Sequence, residues 1–118
     1  MTGLDAFFMR KYDKNNYNCA HFVVDVYKHL TGRDITAEMQ GFLFPAGKRE
    51  ALLSLRRTFK ETTKPFDTSI ALFQGRRVAP HVGIYISRKV FHLMESGVYH
   101  VPVEVVKIGF KTVRFFSC

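Results

Sequence analysis

An α+β fold is predicted by two contrasting hydrophobic patterns and the break between them. Residues 19 to 30 carry apolar side chains at helical spacing, and residues 70 to 116 carry them in alternating or continuous runs. Pro65 separates the two regimes. The expected architecture is therefore a set of N-terminal helices packed on a small antiparallel sheet supplied by the C-terminal half. With 118 residues, 47% apolar content and 12 Phe, the chain can bury one core, and residues 1–118 read as a single domain.

Taken in order, residues 4 to 12 place Leu4, Phe7, Phe8 and Lys11 at helical spacing, with Asp5 near the start as the helix dipole prefers. Asp13 to Asn16 is a polar turn. The next helix carries Cys19, Phe22, Val23, Val26, Tyr27 and Leu30 on one stripe, with Asn18 as its N-cap. Lys28 and His29 in the last turn and Gly32 just beyond mark its end. Ala37 to Gln40 is a short second helix, followed by a loop, Gly41 to Gly47, around Pro45. Residues 48 to 60 read as a helix, with Ala51, Leu52, Leu55 and Phe59 on one side and a basic outer face. Strands follow at Ile70–Phe73, His81–Ile86, Val90–Met94, Gly97–Val101 and Lys111–Phe116, with a helical turn after Pro102.

The formal charge of +8 suits acidic surroundings such as an anionic polymer or an acidic protein face. Basic pairs such as Arg10-Lys11, Arg56-Arg57, Arg76-Arg77 and Arg88-Lys89 are dispersed, and no nucleic-acid recognition signature is present, so no specific nucleic-acid partner is expected. Cys19 and Cys118 make no disulfide framework. No secretory leader and no transmembrane segment is expected, which makes synthesis in the cytoplasm the default.

Cys19 stands in the first turn of its helix, where unpaired N–H groups and the dipole favour a thiolate and could hold an oxyanion. Alternation puts His81, Gly83 and Tyr85 on one face of their strand, and Val90, His92 and Met94 on one face of the next. A hairpin loop of Ile86-Ser87 sets the two histidines opposite each other, and one of Ser87-Arg88 sets them diagonally, about 7–8 Å apart at Cα. Cys19, His81 and His92 can then serve as nucleophile, general base and orienter, and Gly83 leaves space for substrate beside the histidine. A zinc site built from Cys19, His21, His81 and His92 is feasible by residue type. However, Cys-x-His is a weak ligand spacing, so neither metal nor cofactor is expected. His21, His29 and His100 read as surface or supporting residues.

This pattern resembles the NlpC-type cysteine peptidases of the papain-like superfamily. The resemblance rests on Asn18-Cys19 at a helix start, on His81-Val82-Gly83-Ile84-Tyr85-Ile86, and on His92 in the following strand. Asp67 to Phe73 is similar to the strand that precedes the histidine in that family. The match spans residues 17 to 95, with Asn18-Cys19-Ala20 in place of the usual Asp-Cys-Ser. It implies hydrolysis of an amide in the peptidoglycan stem peptide, between D-glutamate and a diamino acid, with Tyr17 and Asn18 lining the substrate or oxyanion site. The compact size and the tail after the histidines resemble versions encoded beside bacteriophage tail genes, which implies action within a virion tail or lysis apparatus and tail proteins as partners. Two alternatives accompany this reading. One is a structural tail or assembly protein that keeps the fold without turnover. The other is an acyltransferase or thioesterase of the lecithin:retinol acyltransferase-like branch, which Asn18-Cys19-Ala20-His21-Phe22 also resembles.

Overall fold

The computed structural model describes residues 3–43 and 48–118. A 3-10 helix, Leu4–Met9, leads into four α-helices: α1 (Cys19–Thr31), α2 (Gln40–Leu43), α3 (Lys48–Leu55) and α4 (Val103–Lys107). Strands β1 (Lys60–Thr62), β2 (Ile70–Gly75), β3 (Val78–Ile86), β4 (Lys89–Met94), β5 (Gly97–Val101) and β6 (Thr112–Ser117) form one sheet in the order β1-β6-β2-β3-β4-β5. Every adjacent pair in it is antiparallel.

Each face of the sheet covers its own cluster. Val82, Ile84 and Ile86 of β3, with Ile70, Leu72, Phe91, Leu93 and Phe116, pack against Phe22, Val23, Val26 and Tyr27 of α1. This is the apolar stripe expected of α1, and it encloses the main core. On the opposite face Ala71, Phe73 and Val90 pack under Val106 of α4. Helix α1 is capped as its sequence demands: Asn18 Oδ1 accepts from the N–H of Ala20 at 2.8 Å and of His21 at 3.3 Å, and Gly32 closes the C-terminus at φ 78°.

The β3–β4 hairpin turns on Ser87 and Arg88, which take φ values of 52° and 63°. This is the I′ geometry whose twist matches the strands, entered by residues that ordinarily avoid it. The Ser87 N–H donates to Asp67 Oδ1 at 2.9 Å, which helps hold the turn. Of the two loops considered from sequence, the turn therefore selects Ser87-Arg88, with Ile86 paired to Lys89.

Three expectations are corrected. Helix α3 ends at Leu55 rather than residue 60, although a turn bonding Phe59 N–H to the Leu55 carbonyl keeps Phe59 in the core. Residues 60–62 instead form β1 against β6, where Glu61 takes two hydrogen bonds from Arg114, at 2.7 and 3.1 Å. Residues 36–39 make turns capped by Asp34, and the second helix starts only at Gln40. Of the Gly41–Gly47 loop, residues 41–43 are helical, and 44–47, with Pro45, lie outside the described residues.

Candidate functional site

The sulfur of Cys19 meets the sheet where β3 and β4 separate. These strands pair only at Ile84–Phe91, Tyr85–Val90 and Ile86–Lys89. The Tyr85 N–H bonds the Ser69 carbonyl beside β2, and N–H directions alternate along a strand, so the Val82 N–H points to the β4 side beyond the last pair. There it faces Cys19 Sγ closely enough to favour the ionised form of the thiol. Cys19 is thus held against the residue that follows His81. Asn18 occupies the N–H groups of Ala20 and His21, and the Phe22 N–H bonds the Asn18 carbonyl. The Cys19 N–H is left facing its own sulfur.

The two imidazoles lie on the sheet face opposite α1 and are bonded to each other, His81 Nε2 to His92 Nδ1 at 2.8 Å. The register places Gly83 across from His92 and His81 on the diagonal. Phe110 stacks on the His81 ring at 5.8 Å and Phe73 flanks it at 6.1 Å. With exposures of 8% and 3%, both histidines are desolvated. Burial pushes their pKa values well below the ordinary imidazole range, and the neighbouring His92 adds to the shift at His81. Two neutral rings can share this bond only if one donates. Among the described residues His81 Nδ1 makes no hydrogen bond, so with Nε2–H donating to His92, Nδ1 keeps its lone pair as a proton acceptor. Sulfur and imidazole are not hydrogen-bonded to each other: Cys19 Sγ lies at the Val82 N–H on the α1 side of the sheet, and the His81 ring lies one residue earlier on the opposite face.

The sequence-based expectation of a stabilised thiolate is reversed. Burial dominates and raises the Cys19 pKa, although the N–H groups of Val82, Ala20 and Cys19 itself pull it down. The resting pair is thiol and neutral imidazole.

Gly83 serves a different purpose from the one its sequence position suggested. A Cβ there would stand 2.5 Å from Val90 Cγ1 and 3.0 Å from His92 Cβ, so its bare backbone makes room for the β4 side chains Val90 and His92. Gly83→Ala should therefore destabilise the fold by about 1–3 kcal/mol, read by urea denaturation, and displace His92 from His81.

Tyr17 and Asn18 are committed elsewhere. The Tyr17 hydroxyl donates to Asp25 Oδ2 at 2.7 Å and accepts from Arg10 Nη1 at 2.6 Å, one to two turns along α1 from the sulfur. Burial and Asp25 raise its pKa. The Asn18 amide is spent on the cap and, through Nδ2, on the carbonyls of Phe42 and Leu43 at 3.4 and 3.3 Å. His21 Nδ1 accepts the Asn18 N–H at 3.0 Å, completing a capping box, and its ring stacks on Tyr17. His21 and Cys19 lie on α1 while His81 and His92 lie on the opposite face of the sheet, and among the described residues no group of three or more His, Cys, Asp or Glu converges as a metal site. His100 bonds the Ile86 carbonyl at 2.8 Å.

Tyr12 is a neighbour the sequence reading missed. A bridge between Asp13 and Tyr17 folds the polar turn back on itself. The Tyr12 phenol then lies close enough to Cys19 that a thiolate there, after burial, opposes its ionisation. Nothing in the spacing of residues 11 to 16 marks this approach, because it depends on that single bridge.

The histidine pair makes a sign-definite prediction about acid. Unfolded imidazoles take up protons near pH 6.5, whereas the folded pair stays neutral down to about 3 for His81 and about 4 for His92. Stability should be unaffected by these groups above pH 7 and should fall as pH drops from about 6.5 toward 4. The slope should reach about 1.4 kcal/mol per pH unit for each histidine. Urea denaturation at pH 7, 6 and 5 measures it, and His92→Leu should roughly halve the slope.

In sequence comparisons, no protein-family model matches the chain and no curated protein matches it significantly.

Proposed function

We propose that this protein is a cysteine hydrolase in which Cys19 is the nucleophile, His81 the general base and acid, and His92 the residue that orients His81. The 2.8 Å bond between His81 Nε2 and His92 Nδ1 carries the reading, with the sulfur held at the N–H of Val82, the next residue of β3. In this reading sulfur and the His81 ring, which rest on opposite faces of the sheet, meet through the opening where β3 and β4 part. Sγ attacks the substrate carbonyl carbon as its proton passes to His81 Nδ1, and the oxyanion that forms is held at the Cys19 N–H. His81 returns the proton to the leaving amine nitrogen as the C–N bond breaks, leaving a thioester on Cys19. Water then attacks the thioester carbon with His81 accepting its proton, the C–S bond breaks to release the carboxylic acid, and the proton goes back to sulfur. Throughout, the Nε2–H bond to His92 fixes the tautomer and supports the imidazolium that forms transiently.

Because the resting thiol and imidazoles are neutral, proton transfer accompanies attack instead of preceding it. The resemblance to NlpC-type peptidases supplies the proposed substrate, the D-glutamyl–diamino acid amide of a peptidoglycan stem peptide, within a phage tail or lysis apparatus. Incubation with purified peptidoglycan should release new amino groups in step with the concentration of intact protein. Folded protein that releases none, while a reactive acyl ester labels Cys19, would shift the assignment to acyl transfer on another substrate.

A further inference from the structure

Beyond the proposed hydrolase site, the sheet face that carries the histidines continues into a surface with its own chemistry. A groove of about 390 Å³ runs from His92 and Tyr99 past Val101 and Val105 to Ile108 and Phe110, and no charged side chain lines it. Past Ile108, Gly109 and Phe110 it meets a second hollow of about 300 Å³, which Arg76 and Lys111 line. The aliphatic rim is raised into solvent: Ile108 is 85% exposed and Val105 52%, with Val78, Met94 and Tyr99 also exposed. Around it Arg76, Lys107 and Lys111 are exposed, and no ion pair neutralises them among the described residues, whose acid–base pairs use Arg10, Arg33, Arg56 and Arg114. Glu104 is the one acidic residue between Val101 and Cys118.

We infer that this face docks on a membrane surface bearing anionic lipids, with Ile108 and Val105 entering the acyl layer and Arg76, Lys107 and Lys111 meeting the head groups. Two properties select this occupant. Protruding aliphatic side chains gain only when they leave water, and the groove beside them is lined mainly by apolar side chains, with His92, Ser96 and Tyr99 as its polar members and no charged one. Arg76 and Lys111 on the adjoining hollow, and Lys107 next to Ile108 in the chain, outnumber Glu104 and match the negative surface of such a bilayer.

The test is co-sedimentation of the full chain with vesicles of phosphatidylglycerol and phosphatidylcholine, and with phosphatidylcholine alone. Binding to the anionic vesicles is expected. The neutral double variant Val105→Asn/Ile108→Asn should weaken it at least about tenfold. Lys107→Gln and Lys111→Gln should each weaken it about fivefold. Leu53→Asn, an exposed apolar position on α3, should leave it unchanged. Binding that ignores the double variant while falling with every lost cation anywhere on the surface would reduce the effect to net charge and overturn the proposal, as would no binding to anionic vesicles at all. All these positions are exposed, so the variants keep the fold, and since the readout involves no turnover, its failure is distinct from failure of the hydrolase assignment.

Discussion

Replacing Cys19 with alanine should abolish amine release from the substrate, a fall of about 10⁶-fold, the scale on which removal of a nucleophile acts in hydrolases with this division of labour. The change removes one sulfur from the first turn of α1 and leaves the cap intact, because Asn18 bonds the N–H groups of Ala20 and His21 through their backbones. The variant should therefore melt close to the parent, so that loss of turnover and loss of fold are separable by circular dichroism and a product assay on the same sample. Unchanged release by Cys19→Ala would assign the nucleophile to another residue, whereas no release by the parent, with phage titre and wall penetration unchanged by Cys19→Ala, would point to the structural or assembly reading.

The second large effect belongs to the imidazoles. His81→Ala should lower kcat/KM by about 10²–10⁴, the range for a positioned general base. His92 acts through His81, so its substitutions separate positioning from bulk. Leucine removes the acceptor of the 2.8 Å bond and should lose activity on the same scale as His81→Ala. Asparagine offers a carbonyl oxygen to the same Nε2–H and should recover activity to within about tenfold of the parent. A merely structural His92 would make leucine, the better core residue, the milder change.

Much of this arrangement can be read from residue order, because hydrophobic period speaks directly to local structure. The stripe from Cys19 to Leu30, with Asn18 before it and Gly32 after it, specifies α1 almost to the residue. Alternation through His81 to Ile86 fixes which face each histidine takes. What alternation cannot supply is register. The diagonal meeting of His81 and His92 depends on Ser87 and Arg88 adopting positive φ without the glycine or asparagine that usually announces such a turn. Strand β1 escaped notice because three polar residues carry no period, and its pairing is decided by β6 and the Arg114–Glu61 bonds. The sign of the Cys19 shift was equally hidden: a helix start promises a thiolate, but the depth at which that start is packed raises the pKa instead. Tyr12 depends on one bridge, and the roles of Tyr17 and Asn18 on partners seven to twenty-five residues away.

The central claim is that His81 takes the proton of Cys19 as sulfur attacks, and it can be examined without knowing the substrate. The measurement is the rate of Cys19 alkylation by chloroacetamide at pH 7, in the parent protein and in His81→Ala, followed by mass of the modified peptide. Burial holds the thiol protonated, so its reactivity should depend on the imidazole, and the variant should react about 10²-fold more slowly. Equal rates in the two proteins would contradict the account.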